Sequence, residues 1–442
     1  MPSANNEFSD SVSIQSVVIE VSSSISKVEI SSTVTDIDIY EHIDKPYLTA
    51  VLGFVDIEDV VGSLDITGGE KIHITLKSVR TNTTVPVSKT FHIDKVMTAD
   101  KGTDIAEFFV LHLIEDIGYT AVLHNVNRAY SGKPKDIISN ISKEYFDKSI
   151  NTSVDANNKA QDHQKMKVIV PNLNPVETMC WIKNRASTGD GFPYYLFSTL
   201  VGEDLQFRDL KDMMTQTPVN ETPWVFSESG KGNEDQPDTA RERTIIKQQT
   251  KDTDNLFKLI QQGLIGSKYN FIDVTKNEVY SFDFDLDELV IKPLKKEKII
   301  NKGTPLFDNN RLEDTSGDIT SRTLTQLSAA SVFSGDKSYM ESEEIAQYKL
   351  DIINRAMVNM LLKNKLDVII DGIEFLDGKS NTSIGNTVSI QFLRNTRTDD
   401  KKTKFDRKKS GDFLIVACKH SFTPRSYYLT LSGVKLSNGE VL

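Results

Sequence analysis

Hydrophobic and polar positions alternate with a period of two through much of the first 125 residues. Val17-Val-Ile-Glu-Val21, Ile25-Ser-Lys-Val-Glu-Ile30 and Val34-Thr-Asp-Ile-Asp-Ile39 read as strands, because successive side chains on a pleated strand point to opposite faces. Four more strands follow, over 47–55, 66–76, 91–96 and 107–113, with Gly68-Gly69 and Thr81-Asn82 as turn signals. A similar set recurs near the other end, over 366–370, 384–393, 413–418 and 427–431. With Val51, Ile74, Ile93 and Phe109 as markers the spacings are 23, 19 and 16; Ile369, Ile390, Ile415 and Leu429 give 21, 25 and 14. The outer spacings agree within two residues, and a charged loop insertion lengthens the middle one. Two similar small β-units in one chain point to a symmetric structural part, where an enzyme would more often show one pocket.

The period changes between these sets. Ile137, Ile138, Ile141, Tyr145 and Phe146 fall on one face of a helix over 133–146. Asn174-Pro-Val-Glu177 starts another, with Asn174 as cap, Pro175 at the first helical position and Glu177 closing a capping box. A hairpin over 194–207 turns at Gly202. Residues 228–254 are polar and read as a loop or linker; a short helix ends at Gly263, and a hairpin spans Tyr269 to Phe284. After a second polar stretch, 300–340, the stripe Ile345, Tyr348, Ile352, Ala356 and Met360 predicts a helix over 341–362. The fold class expected is mainly β with α+β insertions: two similar small antiparallel β-barrel domains plus an α+β domain. The boundaries are 1–125 for the first barrel and 126–225 for the α+β domain. Residues 226–300 hold a linker and the first part of the second barrel, 301–364 a polar insert and the long helix, and 365–442 the rest of that barrel.

Composition narrows the function. The chain has 442 residues, 38% of them hydrophobic, and a net charge of −11. An acidic surface argues against binding nucleic acid through phosphate neutralisation. No apolar run approaches the ~18 residues that span a bilayer, and residues 1–20 carry Glu7 and Asp10 with no basic start and apolar block, so no secretory signal and no membrane insertion are expected. Cys180 and Cys418 are expected to be buried free thiols.

Catalytic motifs are sparse. There is no Gly-x-Ser-x-Gly, Walker loop, HExxH or paired CxxC. His73, His92 and His112 lie in successive strands, a weak pattern for a three-histidine metal site, and read more simply as polar positions on a β face. Asp283, Asp285 and Asp287 alternate as at the opening of a calcium loop, but Glu288 stands where glycine is needed and Leu294 where a bidentate glutamate is needed. Asp314 and Asp318 lack a partner for acid–base work. No cofactor, metal or catalytic residue is assigned. Residues 396–409 hold seven Lys/Arg against three Asp, net +4; Lys401, Lys402, Lys404, Arg407 and Lys408 are candidate assembly contacts for an acidic neighbour, with a solvated hairpin loop as the simpler reading. Trp181 and Trp224, in a helix and beside a linker, offer little to a carbohydrate-binding adhesin.

The order of several segments resembles a known family. Ile37-Asp-Ile-Tyr-Glu-His-Ile-Asp-Lys-Pro-Tyr-Leu-Thr-Ala-Val-Leu-Gly-Phe-Val-Asp56 and Gly62-Ser-Leu-Asp-Ile-Thr-Gly-Gly-Glu-Lys-Ile-His-Ile74 resemble the first domain of baseplate hub proteins of contractile-tailed bacteriophages. Pro175–Arg208, Gln262–Asp273 and Ser410–Leu431 are similar to that family's central unit, its entry to the second barrel and its closing strands. The chain also resembles, more distantly, the hub region of type VI secretion spike proteins, without a fused needle after Leu442.

The resemblance implies a non-enzymatic virion protein of the tail baseplate, made in the host bacterial cytoplasm. It implies a homotrimer whose six barrels form a pseudo-sixfold ring that joins the hexameric tail tube to the trimeric spike and lets DNA pass. Implied partners are the tail spike protein, tail tube or tube-initiator proteins and other baseplate proteins, with the tape measure protein as a further candidate; no specific nucleic-acid binding is implied. The alternative is a β-rich tail enzyme that degrades peptidoglycan or polysaccharide, which would need two carboxylates set apart in pKa in one cleft.

Overall fold

In a computed structural model, residues 12–21, 26–78, 86–101, 106–152, 166–220, 222–226, 244–252, 260–273, 277–297, 299, 303–305, 323–328, 340–372, 375–376, 382–392, 406, 409–424 and 426–439 are described. The first seven strands are β1 (Val12–Val21), β2 (Ser26–Glu29), β3 (Val34–His42), β4 (Thr49–Asp56), β5 (Lys71–Ser78), β6 (Val87–Lys101) and β7 (Glu107–Glu115). They pair in the order β2-β1-β5-β6-β7-β4-β3, all antiparallel. β2 and β3 are consecutive pieces of one segment, so the chain itself carries one edge of this sheet round to the other. The result is a small barrel. Its interior is filled by one row from each strand, among them Ile19, Ile39, Leu52, Ile74, Phe91 and Leu111, all buried. Helix α1 (Val60–Ser63) is short, and the Asp56 carboxylate accepts its Val60 and Val61 N–H groups at 2.9 and 3.0 Å.

The next segment opens with α2 (Asp116–Val122), whose Ile117 and Ala121 pack in the core of the α+β unit. It continues through β8 (Ala129–Gly132), α3 (Pro134–Phe146), β9 (Ile150–Thr152), β10 (Met166–Ile169), α4 (Pro175–Lys183), β11 (Tyr194–Phe197), β12 (Leu205–Asp209) and α5 (Leu210–Thr215). Ile137, Ile138 and Ile141 of α3 face Met179 and Ile182 of α4 in a core of their own. The capping box forms: Asn174 accepts the Glu177 N–H at 2.7 Å, and the Glu177 carboxylate accepts the Asn174 N–H at 3.2 Å.

The remaining strands are β13 (Trp224–Phe226), β14 (Lys247–Asp252), β15 (Gly266–Asp273), β16 (Glu278–Asp285), β17 (Gly303–Pro305), β18 (Thr323–Ser328), β19 (Asn364–Asp371), β20 (Thr387–Phe392), β21 (Gly411–Phe422), β22 (Tyr427–Val434) and β23 (Ser437–Gly439). The second barrel runs β14-β19-β22-β21-β20-β13, and the Ile245 N–H donates to the Val225 carbonyl at 3.1 Å where its two ends meet. The hairpin β15–β16 does not join this barrel; it makes a separate sheet with β18. The last helix, α6 (Met340–Lys363), buries Ile352, Ile353, Ala356, Met357 and Met360 against the same core as the second barrel. Residues 255–259 of the short helix expected before Gly263, the stretch 228–243, and Asp314 and Asp318 lie outside the described residues.

The duplication read from spacing is a duplication of topology. Strands β4, β5, β6 and β7 pair as β4-β7-β6-β5; strands β19, β20, β21 and β22 pair as β19-β22-β21-β20. In each set the first strand meets the fourth, the fourth the third and the third the second. The long connection between β20 and β21 leaves the register intact, with Val388 opposite Phe413 and Ile390 opposite Gly411. One feature departs from two separate barrels. The Ala417–Phe422 part of β21 pairs with His42–Ile37 of β3, so both barrels belong to one continuous sheet.

Candidate functional site

That β3–β21 seam is where the chain concentrates its buried chemistry. β21 can serve two partners because its register against β22 slips between Ile415 and Ala417, and a bulge bends a strand and re-aims the residues beyond it. Before the bulge β21 bonds to β20; after it, to β3. Phe422 and Tyr427 of the second repeat thereby enter the core of the first barrel, their rings stacked 4.3 Å apart. Gly372 leaves room for this: a Cβ there would lie 2.4 Å from the Tyr427 ring.

Inward positions on β3 are Ile37, Ile39 and Glu41; on β21 they are Cys418, His420 and Phe422. Register puts Cys418 opposite Glu41. Glu41 is 2% exposed, Cys418 3% and His420 1%. One Glu41 oxygen accepts the Leu200 N–H from the β11–β12 loop. Its Oε2 lies 3.3 Å from His420 Nε2, yet neither atom has a hydrogen-bond partner, so the imidazole is aimed past the carboxylate. His420 Nδ1 is 2.7 Å from the Tyr427 hydroxyl. Burial alone would raise the Glu41 pKa, but the His420 charge, the Ser383 hydroxyl and the Leu200 N–H together hold it below its ordinary value. Burial, with the Glu41 charge, pushes the Cys418 thiol well up. Among the described residues, Glu41, Cys418 and His420 alone form a cluster of potential metal donors, their ligand atoms within 4.8 Å of one another.

The β11–β12 loop is pinned by a second buried carboxylate. Glu115 accepts the Leu48 N–H at 2.7 Å and the Ser198 hydroxyl at 3.1 Å, and Lys89 donates to the Gly202 carbonyl at 2.6 Å. The loop tip, Leu200 and Val201, fills the first barrel's core. On the other side of the seam, opposite the inward Glu41 and Cys418 side chains, an open groove of about 600 Å³ crosses both barrels; Tyr40, His42, Lys45, His112 and Lys419 line it.

The residues singled out by sequence have other roles. His73 contacts Thr90 and Glu20 at 3.0 and 3.1 Å, while His92 sits between the Gly69 carbonyl and Asp116 and stacks on Tyr119. Of these three histidines, His112 alone reaches the groove. Asp285 accepts the Asp287 N–H at 2.8 Å and starts a helical segment, which accounts for the alternating carboxylates. Cys180 is free but only half-buried, Cys418 free and buried. Lys401, Lys402, Lys404, Arg407 and Lys408 lie outside the described residues. Glu41 and His420 were missed as a pair. Glu41 did carry a signal, a carboxylate on the inward phase of an apolar strand; its partner required the register between distant strands.

No protein-family model matches the sequence, and no curated protein is significantly similar to it. Solved structures do match. The 43 kDa tail protein of prophage MuSo2 from Shewanella oneidensis is 9% identical, with a TM-score of 0.51 over 95% of this chain and 98% of that one. A tail protein from Neisseria meningitidis MC58 is 11% identical, with a TM-score of 0.51 over 97% and 98%. With coverage near complete on both sides, the chain shares the overall fold of these two tail proteins.

Proposed function

We propose that the chain is a structural subunit of a tail baseplate hub. Three copies form a ring of six similar barrels that adapts a sixfold tube to a threefold spike. The observation that carries this reading is the repeated strand order within one chain: a trimer of a duplicated unit presents six near-equivalent surfaces on one side while keeping threefold symmetry elsewhere. The continuous β3–β21 sheet supports it, because paired backbones fix the angle between the barrels, as a ring of set curvature requires. The fold shared with two tail proteins points the same way.

In this assembly the tail spike docks below and tube proteins above, and the central duct is not net basic, since clustered Lys/Arg would hold phosphates through counterion release. The basic stretch around Lys401, Lys402, Lys404, Arg407 and Lys408 lies outside the duct and meets an acidic neighbour. Light scattering on the purified chain, alone and with spike protein, tests the reading. A mass of three chains is expected in at least one condition, and monomer in both overturns it. The competing cell-wall enzyme is tested by turnover of purified peptidoglycan, where none is expected.

A further inference from the structure

We propose that Glu41, Cys418 and His420 bind one divalent cation of the zinc type at the seam between the barrels. Thiolate sulfur, imidazole nitrogen and carboxylate oxygen are the donor types that this borderline-soft ion takes together. Three such atoms converge here, fully buried, from two strands near opposite ends of the sequence. Bonds of about 2.0 Å at a tetrahedral angle place two ligand atoms about 3.3 Å apart, which is the separation of Glu41 Oε2 and His420 Nε2. The two atoms face each other as an ion pair, but neither has a hydrogen bond of ordinary geometry. That combination fits a third atom placed off the line joining them.

The surroundings supply what such a site needs. Nδ1–H of His420 can donate to the Tyr427 hydroxyl, 2.7 Å away, which leaves Nε2 as the lone-pair donor and fixes the ring, as outer partners of metal-bound histidines do. The Leu200 N–H orients the carboxylate. A dication balanced by one carboxylate and one thiolate leaves the buried site neutral. Binding replaces the S–H bond of Cys418 by a metal–sulfur bond and releases that proton to solvent. Three protein donors leave one of the four tetrahedral positions for a water molecule or another small ligand. Because the ligands come from β3 of one barrel and β21 of the other, the ion would act as a clip holding the two barrels together.

The test uses the full chain. Purified from zinc-supplemented medium, it is expected to retain about one zinc per chain, and after chelation cobalt(II) is expected to restore about one metal per chain with a near-ultraviolet thiolate-to-cobalt charge-transfer band. Cys418→Ser should abolish the band. Tyr427→Phe, which keeps the ring and removes only the hydroxyl, should keep the stoichiometry and weaken cobalt affinity by about 10- to 100-fold. If Cys418→Ser does not fold, the wild-type titration and Tyr427→Phe still decide. Folded wild-type chain that retains no zinc and gives no band with cobalt, or a band that persists in Cys418→Ser, overturns the proposal.

Discussion

Phe422→Ala is expected to loosen both barrels at once. Phe422 belongs by sequence to the second repeat but is fully buried in the first barrel's core, its ring 4.3 Å from that of Tyr427. Truncating a buried phenylalanine costs about 3–5 kcal/mol, and a stacked aromatic pair adds about 0.5–1.5 kcal/mol beyond its area, so the loss should fall toward the top of that range. At 1.4 kcal/mol per decade, about 5 kcal/mol is roughly a few-thousandfold change in the opening equilibrium. Amide hydrogen exchange in low denaturant reads this strand by strand. In Phe422→Ala the amides of β4 and β7 should accelerate by a factor similar to those of β19 and β22, because β21 donates to both barrels. Phe422→Leu keeps most of the volume and should cost less than about 1.5 kcal/mol, with the same even distribution. Acceleration confined to β19–β22, with β4 and β7 unchanged, would show two independently folding barrels and refute the reasoning.

Three further outcomes rest on local geometry and charge. Gly385 has φ +79° and a Cβ there would meet the Phe197 ring at 2.5 Å, so Gly385→Ala should destabilise by about 2–5 kcal/mol, summing overpacking and left-handed strain, as measured by urea denaturation. Lys435 is buried, donates to the Ser410 carbonyl at 3.0 Å and has its pKa pushed down by burial from 10.5 to about 8. Its folded form therefore binds fewer protons than the unfolded chain between those values, so its cost is full below pH 8 and is relieved as pH rises toward 10.5. Lys435→Met should then be more stable than wild type at pH 7, by up to about 3 kcal/mol, with the gap closing above about pH 10; a gap that does not change with pH contradicts this. Charge reversal at Lys401, Lys402, Arg407 and Lys408 should weaken co-assembly with an acidic neighbour in a pull-down while leaving the melting temperature of the isolated chain within a degree or so, since surface charges contribute little to stability.

The repeat was legible because its strands are half-buried and alternate cleanly, so their spacing could be matched from Ile74, Ile93 and Phe109 to Ile390, Ile415 and Leu429. Val51 and Ile369 mark the right strands although each sits on the less buried phase of its own. The Asn174 cap was legible because capping is local chemistry. The seam was not. Cys418 and Glu41 face each other only because a bulge after Ile415 turns β21 toward β3, and nothing local to either strand records that pairing. The β15–β16 hairpin was visible as a hairpin, but its partner β18 lies far along the chain, beyond any periodicity signal. The carboxylate row Asp283, Asp285 and Asp287 looked like chemistry and proved to be a strand leading into a helix start, where Asp285 accepts the Asp287 N–H.

Electron microscopy of the purified assembly, with spike protein present, would show directly whether the barrels form a ring. A ring of three chains is expected, in which six barrel-sized densities surround a channel and alternate between first and second repeats, each pair joined by the β3–β21 sheet. Particles with one chain, or rings in which the two barrels of a chain do not occupy neighbouring positions around a common axis, would contradict it.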